Sequence, residues 1–435
     1  MPYLLNLCYV CLIVVASPWL IYSAIRKGKY REGWAAKFLG KVPLRSGNQT
    51  CVWIHAVSVG EVNQLAGLLR RIKQRWPDCE CVISTTTKTG YDLANKKYTD
   101  DRIFYCPLDF SWAVKRAMKR VRPDVFVLTE LELWPNLIRS AKRHGAKIAV
   151  INGRLSDKSF RGYCRGRWLI APVLRSIDLF AAQNEDYAAR FRHLGARDDA
   201  VHVTGSLKFD GAQTDRDNPK TIELAKLAGI QADDIVFLAG STQAPEEQLA
   251  LETFRRLRKA HSQLKLLLVP RHPERFDEVA TMLDRSGEPW QRRSDLDRRP
   301  STKQARVLLV DTVGELSAWW GVAHIAFVGG SMGRRGGQNM IEPAAYGAAV
   351  AFGPNTRNFR DVVALMIHGA AAMVVSSGND LTRFVERCLT DVDFARGLGQ
   401  RAQKLVQQQL GATDSTFDLL ARMLENAGSL GARAA

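Results

Sequence analysis

The chain has 435 residues, 46% hydrophobic and 24% charged, which is long enough for two domains with separate cores and excludes disorder as the default. Its formal net charge of +18 implies polyanionic company, for which nucleic acid, an anionic membrane surface and a phosphorylated substrate are equally eligible. The eight cysteines show neither zinc-ligand spacing nor a disulfide framework, so reduced structural thiols are expected.

The first predicted element is residues 3–25, a run of 23 residues without a charge. As a helix it would extend about 34 Å, enough to cross a hydrocarbon core. Arg26, Lys27, Lys29 and Arg31 follow it and no Lys or Arg precedes it. The positive-inside tendency therefore places the bulk of the chain on the cytoplasmic side, and the usual charge in front of a cleaved signal peptide is missing. Asn6 and Pro18 interrupt the run, so an anchor lying in one leaflet stays open beside a spanning one.

From there short apolar runs alternate with amphipathic stretches. The runs cover 51–57, 80–85, 124–129, 147–152, 178–182 and 201–204, then 235–239, 264–269, 306–310, 324–328, 348–352 and 372–375. Many are continuous Val/Ile/Leu blocks, as parallel strands covered on both faces require. Strand–helix alternation of this kind reads as doubly wound α/β. The polar, turn-rich segment 210–219 is the expected linker, and 291–304, full of Arg, Asp and Ser, is expected to be an exposed loop. The expected organisation is an anchor at 1–25, a Rossmann-like domain at 26–212 and a second at 213–435, facing each other across a cleft.

Candidate functional residues lie where these strands end. Glu61 in His55-Ala-Val-Ser-Val-Gly-Glu61 follows the first strand near a helix start. It can serve as a general base, or simply complement the helix dipole. Thr129-Glu130-Leu-Glu132-Leu-Trp134-Pro135-Asn136 ends a buried strand in two acids, and strand alternation would point at most one of them into a given site. Lys208 follows the last strand of the first half and can balance a departing phosphate or sit solvated in a loop. Pro270-Arg271-His272-Pro273 stiffens the backbone around an arginine fork suited to phosphate. Asp311-Thr-Val313-Gly314-Glu315 repeats the pattern of strand, glycine and acid, while Ala239-Gly240-Ser241-Thr242 is a small-residue turn that could admit a ligand.

The densest signal is Phe327-Val-Gly-Gly-Ser-Met-Gly-Arg-Arg-Gly-Gly-Gln-Asn339-Met340-Ile341-Glu342. Strand, glycine-rich cationic loop and helix start let backbone N–H groups face an anion, and Glu342 can accept hydrogen bonds from sugar hydroxyls. The spacing matches neither the dinucleotide fingerprint nor the P-loop. The bland reading is a glycine turn between strand and helix. Asp295-Leu-Asp297 and Asp391-Val-Asp393 have the DxD form of a metal site, but their settings argue against it. No helix-turn-helix, zinc or RNP-type pattern supports nucleic-acid binding.

In order along the chain, HAVSVGE, TELELWPN, NGRLSDKSF, GSLKFD, VPRHPERF, DTVGEL and FVGGSMGRRGGQNMIEPAAYG resemble the signature segments of the 3-deoxy-D-manno-octulosonic acid (Kdo) transferases. The resemblance implies a GT-B fold, with an acceptor-binding first domain and a second domain that binds CMP-Kdo. It implies a lipid A precursor such as lipid IV(A) as acceptor and a place on the cytoplasmic face of the inner membrane; because CMP leaves with a single phosphate that Arg271, Lys208 and helix N-termini could stabilise, neither cofactor nor metal is expected. It matches Glu61 to the proton acceptor, and Glu130 and Lys208 to transition-state stabilisers. It matches Pro270-Arg271, Val313-Gly314-Glu315 and Asn339-Met340-Ile341-Glu342 to the CMP-binding segments. Gln338 stands where the family often has His, and Gln243-Ala-Pro departs from the family's His-Glu-Gly.

Overall fold

The apolar runs become strands because each is buried from both sides. The computed structural model describes residues 2–27, 32–298, 301–302 and 304–431, and these fall into two units, Met1–Asp210 with Leu410–Ala435, and Gly211–Gln409. In the first unit β1 (Cys51–His55), β2 (Glu80–Thr85), β3 (Arg102–Tyr105), β4 (Val125–Thr129), β5 (Lys147–Gly153), β6 (Leu179–Ala182) and β7 (Val201–Val203) form one sheet. Its order is β3-β2-β1-β4-β5-β6-β7, with every pairing parallel. One face buries Trp53, Phe126 and Phe180, and the other buries Ile54, Val127 and Ile151.

The second unit repeats this plan. β8 (Ile235–Thr242), β9 (Leu264–Pro270), β10 (Trp290–Arg292), β11 (Val307–Leu309), β12 (Ile325–Val328), β13 (Ala349–Phe352) and β14 (Met373–Val374) make a parallel sheet in the order β10-β11-β9-β8-β12-β13-β14. In each sheet the strand order reverses once beside the first strand, between β1 and β4 and between β8 and β12. Such a reversal opens a crevice beyond the carboxyl ends of the strands, which is where ligands bind in this architecture.

Two strands were not expected from the sequence, β3 and β10, and both are sheet edges. Arg102 and Ile103 are only half-buried, as are all three residues of β10, so neither segment needs a continuous apolar block. Segment 291–304 is correspondingly more than an exposed loop: it begins inside β10 and buries Arg293, while residues 299, 300 and 303 lie outside the described residues.

The apolar N-terminal run forms α1 (Pro2–Lys27), followed by the short α2 (Trp34–Leu39). Among the described residues no helix is long and apolar enough to cross a membrane. The expected basic residues Lys29 and Arg31 lie outside the described residues. α1 is two-sided: Asn6 and Ser23 are buried, whereas Leu7, Val14, Val15, Trp19 and Ile25 are exposed.

The second correction concerns the C-terminus, which was assigned with the second domain. The helix Ala412–Gly431 belongs instead to the first unit, and the units divide between Asp210 and Gly211. Ala412, Leu420 and Leu424 join the core formed by Val52, Ile54, Leu65, Leu68 and Ile72 on the face covered by α3 (Val59–Arg75). Leu420→Ala is therefore expected to lower the stability of the first unit by about 2–4 kcal/mol, the range for large-to-small changes in a core. Urea unfolding followed separately in the two units tests this, and a loss confined to the second unit would contradict the assignment.

Candidate active site

Glu61 owes its position to the start of α3. Ser58 is the N-cap and Glu61 stands three residues on, so the two form a capping box. Ser58 Oγ donates to Glu61 Oε1 at 2.7 Å, and the Val57 N–H donates to Oε2 at 2.9 Å. The Thr129 hydroxyl, at the end of neighbouring β4, lies 2.7 Å from Oε2 and 2.8 Å from the His55 carbonyl. The carboxylate thus ties together the ends of β1 and β4 at the strand-order reversal, with 8% of the residue exposed. His55 beside it has its pKa lowered to about 4 by burial, so its imidazole stays neutral near pH 7.

Glu130 follows at once. Its φ of +55° is a left-handed conformation uncommon for a residue with a side chain, and such strain persists where surrounding structure enforces it. Its carboxylate is bracketed by two cations: Arg154 Nε donates to Oε2 at 2.8 Å, and Lys208 Nζ lies 3.9 Å from Oε1. Arg154 was not singled out from the sequence, although the motif NGRLSDKSF contains it. Its position just past the end of β5 was the available signal.

The segment leading into Lys208 is held by a buried asparagine. Asn152, itself at φ +52°, accepts from the Leu207 N–H at 3.2 Å and from Ser206 Oγ at 3.3 Å, and donates to Gln64 Oε1 of α3 at 2.7 Å. The structure thereby gathers Glu61, Glu130, Arg154 and Lys208 at the carboxyl edge of one sheet.

The expected separation of Glu130 from Glu132 does not follow from a strand, where residues two apart share a face; β4 moreover ends at Thr129 and the chain turns left-handed at Glu130. The Trp134 Nε1–H donates to Glu132 Oε2 at 2.9 Å. Burial raises the pKa of Glu132, the charges of Glu61 and Glu130 push it further up, and the Trp134 bond opposes them.

In the second unit the glycine-rich loop meets an anion, but the anion is the protein's own. Buried Glu246, from the helix Glu246–Leu257, accepts four backbone N–H groups. Gln243 (2.9 Å) and Gly330 (2.7 Å) donate to Oε2, and Ser331 and Met332 (2.9 Å each) donate to Oε1. These amides are therefore taken. Gly329 is needed because a Cβ there would stand 2.5 Å from Thr242 Cα and 2.8 Å from Glu246 Oε2. Gly240 likewise serves packing rather than ligand approach, since a Cβ there would lie 2.5 Å from the Trp320 ring.

The other candidate residues of the second unit divide by what their atoms are free to do. Glu315 is engaged: Arg293 grips both its oxygens at 3.0 and 2.9 Å, and Thr312 Oγ1 donates to Oε2 at 2.7 Å. These cations and donors hold its carboxyl below the usual range against the opposing effect of burial, which is the largest single influence. What this segment offers a ligand is the exposed backbone and side chain of Val313 (78% exposed) and Gly314 at φ +92°. Met340 and Ile341 are core side chains, and the helix Ile341–Ala345 is only five residues long. Asn339 donates to Glu342 Oε1 at 2.9 Å. Burial raises the pKa of Glu342, while Asn339 and the positive charge of Arg271 pull it down. Arg271, just past Pro270 at the end of β9, is exposed.

Neither DxD offers a vacant pair of carboxylates. Asp297 is paired with Arg293 at 3.0 Å, Asp391 accepts from the Phe394 N–H at 2.9 Å, and Asp393 lies 3.7 Å from Arg396. Among the described residues no cluster of three His, Cys, Asp or Glu side chains could hold a metal ion.

Two substitutions test these environments. Glu246→Gln replaces an acceptor-only group with one that carries two donors toward N–H groups, so ligand binding by the second unit is expected to weaken at least tenfold without any ligand contact being touched. Calorimetric titration with CMP reads this, and unchanged affinity would show that the loop does not need its internal anion. For Glu132 the folded pKa lies above the unfolded one, so its ionisation costs stability above about pH 4.3 and nothing below it. Glu132→Gln should therefore raise Tm by about 1–3 °C near pH 7.5, with the gain vanishing toward pH 4 in thermal scans.

Residues 31–211 match the family described as 3-Deoxy-D-manno-octulosonic-acid transferase (kdotransferase). Over 428 residues, 97% of this chain and 96% of the relative, the sequence is 32% identical to a 3-deoxy-D-manno-octulosonic acid transferase of Haemophilus influenzae. It is 31% identical to one from Bordetella pertussis over 92% of this chain and 94% of that one. The fold resembles a UDP-GlcNAc 2-epimerase of Neisseria meningitidis bound to UDP-GlcNAc (TM-score 0.56, 12% identity, 86% of this chain and 100% of that one), which speaks for a GT-B-like pair of Rossmann-type sheets and for nothing chemical. Similarity along nearly the whole chain decides between the two chemistries: the chain belongs to the 3-deoxy-D-manno-octulosonic acid transferase family and is a glycosyltransferase.

Proposed function

We propose that the protein transfers Kdo from CMP-Kdo to a lipid A precursor such as lipid IV(A), with inversion, at the cytoplasmic face of the inner membrane during lipopolysaccharide core biosynthesis. The observation that carries this reading is Glu61, a carboxylate at a strand-order reversal, oriented by Val57, Ser58 and Thr129 and flanked by the Glu130, Arg154 and Lys208 cluster. Glu61 takes the proton of an acceptor hydroxyl as its oxygen attacks the anomeric carbon of Kdo. The bond from that carbon to the CMP phosphate oxygen breaks, and the electron pair leaves with the phosphate.

Glu130 faces positive charge developing on the sugar, while Lys208 and Arg154 suit the phosphate or the sugar's carboxylate. On the donor side Arg271 supplies the charge for the single phosphate. Asn339 and Glu342 accept or donate to hydroxyls, and Pro270, Val313, Gly314, Met340 and Ile341 contribute main chain. Glu315 contributes through its pair with Arg293, which shapes the Val313-Gly314 turn. CMP leaves with one phosphate, which arginine, lysine and backbone N–H groups can neutralise, so this reading includes turnover without a metal ion.

The two-sided character of α1 favours an anchor lying in one leaflet. Its buried Asn6 and Ser23 face protein, and exposed Leu7, Val14 and Val15 are available to lipid. The net charge of +18 suits an anionic leaflet and a phosphorylated acceptor better than nucleic acid.

Detergent-purified protein given lipid IV(A) and CMP-Kdo, generated in situ with EDTA present, is expected to yield lipid heavier by one or more Kdo units in mass spectra. Glu61→Gln is expected to cut kcat by about 10²–10⁴-fold while CMP still binds. Full turnover in the variant with its fold intact would remove Glu61 from the role of base, and an untouched lipid with wild-type protein and intact donor would remove the acceptor.

A further inference from the structure

Two helices on the acceptor-side edge of the first unit lack N-terminal caps of their own. The helix Ser111–Val121 begins after Phe110 and the helix Pro135–Arg143 after Trp134, and neither Phe nor Trp provides a side-chain cap. An uncapped helix start leaves backbone N–H groups without partners, which is costly when the start is buried.

Both ends are satisfied from elsewhere in the chain, and both trails lead to α1. Asn6 accepts from the Ser111 N–H at 3.0 Å through Oδ1 and donates to Ser111 Oγ at 2.7 Å, so it acts as the missing cap of the first helix. Buried Asp109 accepts from the Asn136 N–H at 3.0 Å and the Leu137 N–H at 2.8 Å, capping the second. Asp109 is fixed in turn by the Tyr9 hydroxyl, which donates to its Oδ2 at 2.9 Å, while the Tyr9 ring packs edge-on against Phe110 at 6.0 Å. Asn136 Nδ2 closes the network, donating to the Asp109 carbonyl at 2.7 Å and lying 3.5 Å from Asn6 Oδ1, which links Asn6 to the start of the second helix as well.

The second of these helices starts where the candidate catalytic segment ends. Glu130, Glu132 and Trp134 run directly into Pro135, with Trp134 bonded back to Glu132. We propose that α1 is a working part of the active site: Asn6 and Tyr9 are positioning residues that hold the start of the helix Pro135–Arg143, and through it the Glu130–Trp134 segment, in the geometry that acceptor transfer needs. The catalytic consequence rests on the reading of Glu130 as a site residue; the mechanical link does not. Attachment to the membrane and order in the site are then two uses of opposite faces of one helix, since exposed Val15 lies outside the network.

The test uses the full-length protein with Asn6→Ala, Tyr9→Phe and, as a control on the outer face, Val15→Asp. Hydrogen exchange read by mass spectrometry is expected to quicken about fivefold or more over 130–143 in the two inner-face variants, as loss of a cap allows, and to stay unchanged in Val15→Asp. Flotation with anionic vesicles should show the reverse, weakened only for Val15→Asp. In the transfer assay the inner-face variants should lose about tenfold in kcat/KM for the lipid while KM for CMP-Kdo holds, because the misplacement is confined to the acceptor side. Unchanged exchange over 130–143, or quicker exchange with undiminished transfer, overturns the proposal. If the wild-type protein transfers nothing, the functional reading fails and the exchange data alone decide whether α1 orders the segment.

Discussion

A carboxylate straddling the point where strand order reverses is the interaction on which each half of this molecule depends. Where the chain leaves the paired strands β1 and β4, or β8 and β12, in opposite directions, loop amides and hydroxyls at adjacent strand ends have no ladder to join. In both units a glutamate from the first turn of the helix that follows the first strand fills the gap. Glu61 reaches Val57, Ser58 and Thr129; Glu246 reaches Gln243, Gly330, Ser331 and Met332. The negative charge also sits at the favourable end of the helix dipole. One residue thereby ties two strand ends together and fixes the loops around the crevice where a ligand would bind.

Around these strand ends the backbone is held in conformations that side chains disfavour. Glu130 and Asn152 in the first unit and Ser241 in the second all have positive φ, and each stands at the carboxyl end of a strand. Each is pinned by its neighbours: the Glu130 N–H donates to Ile151 O at 2.9 Å, and Asn152 is fully buried among Gln64, Gln183, Ser206 and Leu207. Strain confined to the loop edge of an otherwise regular sheet is what a preorganised site requires, since side chains such as those of Glu130 and Lys208 then need not reorganise when charge develops.

The sequence announced the buried strands because a strand covered on both faces must be largely apolar, as 125–128 and Ile325–Val328 are. It announced the edges β7 and β14 as short apolar runs but concealed β3 and β10: Trp290-Gln-Arg292 pairs on one side only and carries no apolar block. The helix Ala412–Gly431 was misassigned because its pattern reveals that one side is buried and says nothing about which core buries it. At the site, the glycines of the β12 loop correctly signalled amides facing an anion. Nothing local to that loop could reveal that Glu246, more than eighty residues earlier, was the anion. Glu130 and Glu132 were legible as costly acids, but alternation could not tell them apart, since residues two apart share a strand face and β4 ends before both.

Under the proposed mechanism one structural device carries chemistry at Glu61 and not at Glu246, and the bonding of the two glutamates differs accordingly. A carboxylate has about four acceptor sites. Glu246 spends two on each oxygen, all on backbone N–H groups in a buried setting, so a proton arriving there would displace a bond that the loop needs. Glu61 is less committed. Among the described residues its Oε1 receives only the Ser58 hydroxyl, and the Thr129 hydroxyl near Oε2 has the His55 carbonyl as a second acceptor. Hydroxyls can rotate as the carboxylate's charge changes, whereas backbone amides cannot. The same capping geometry that would pass for mere helix stabilisation therefore leaves Glu61, and not Glu246, with an oxygen able to take up a proton without dismantling the junction it forms.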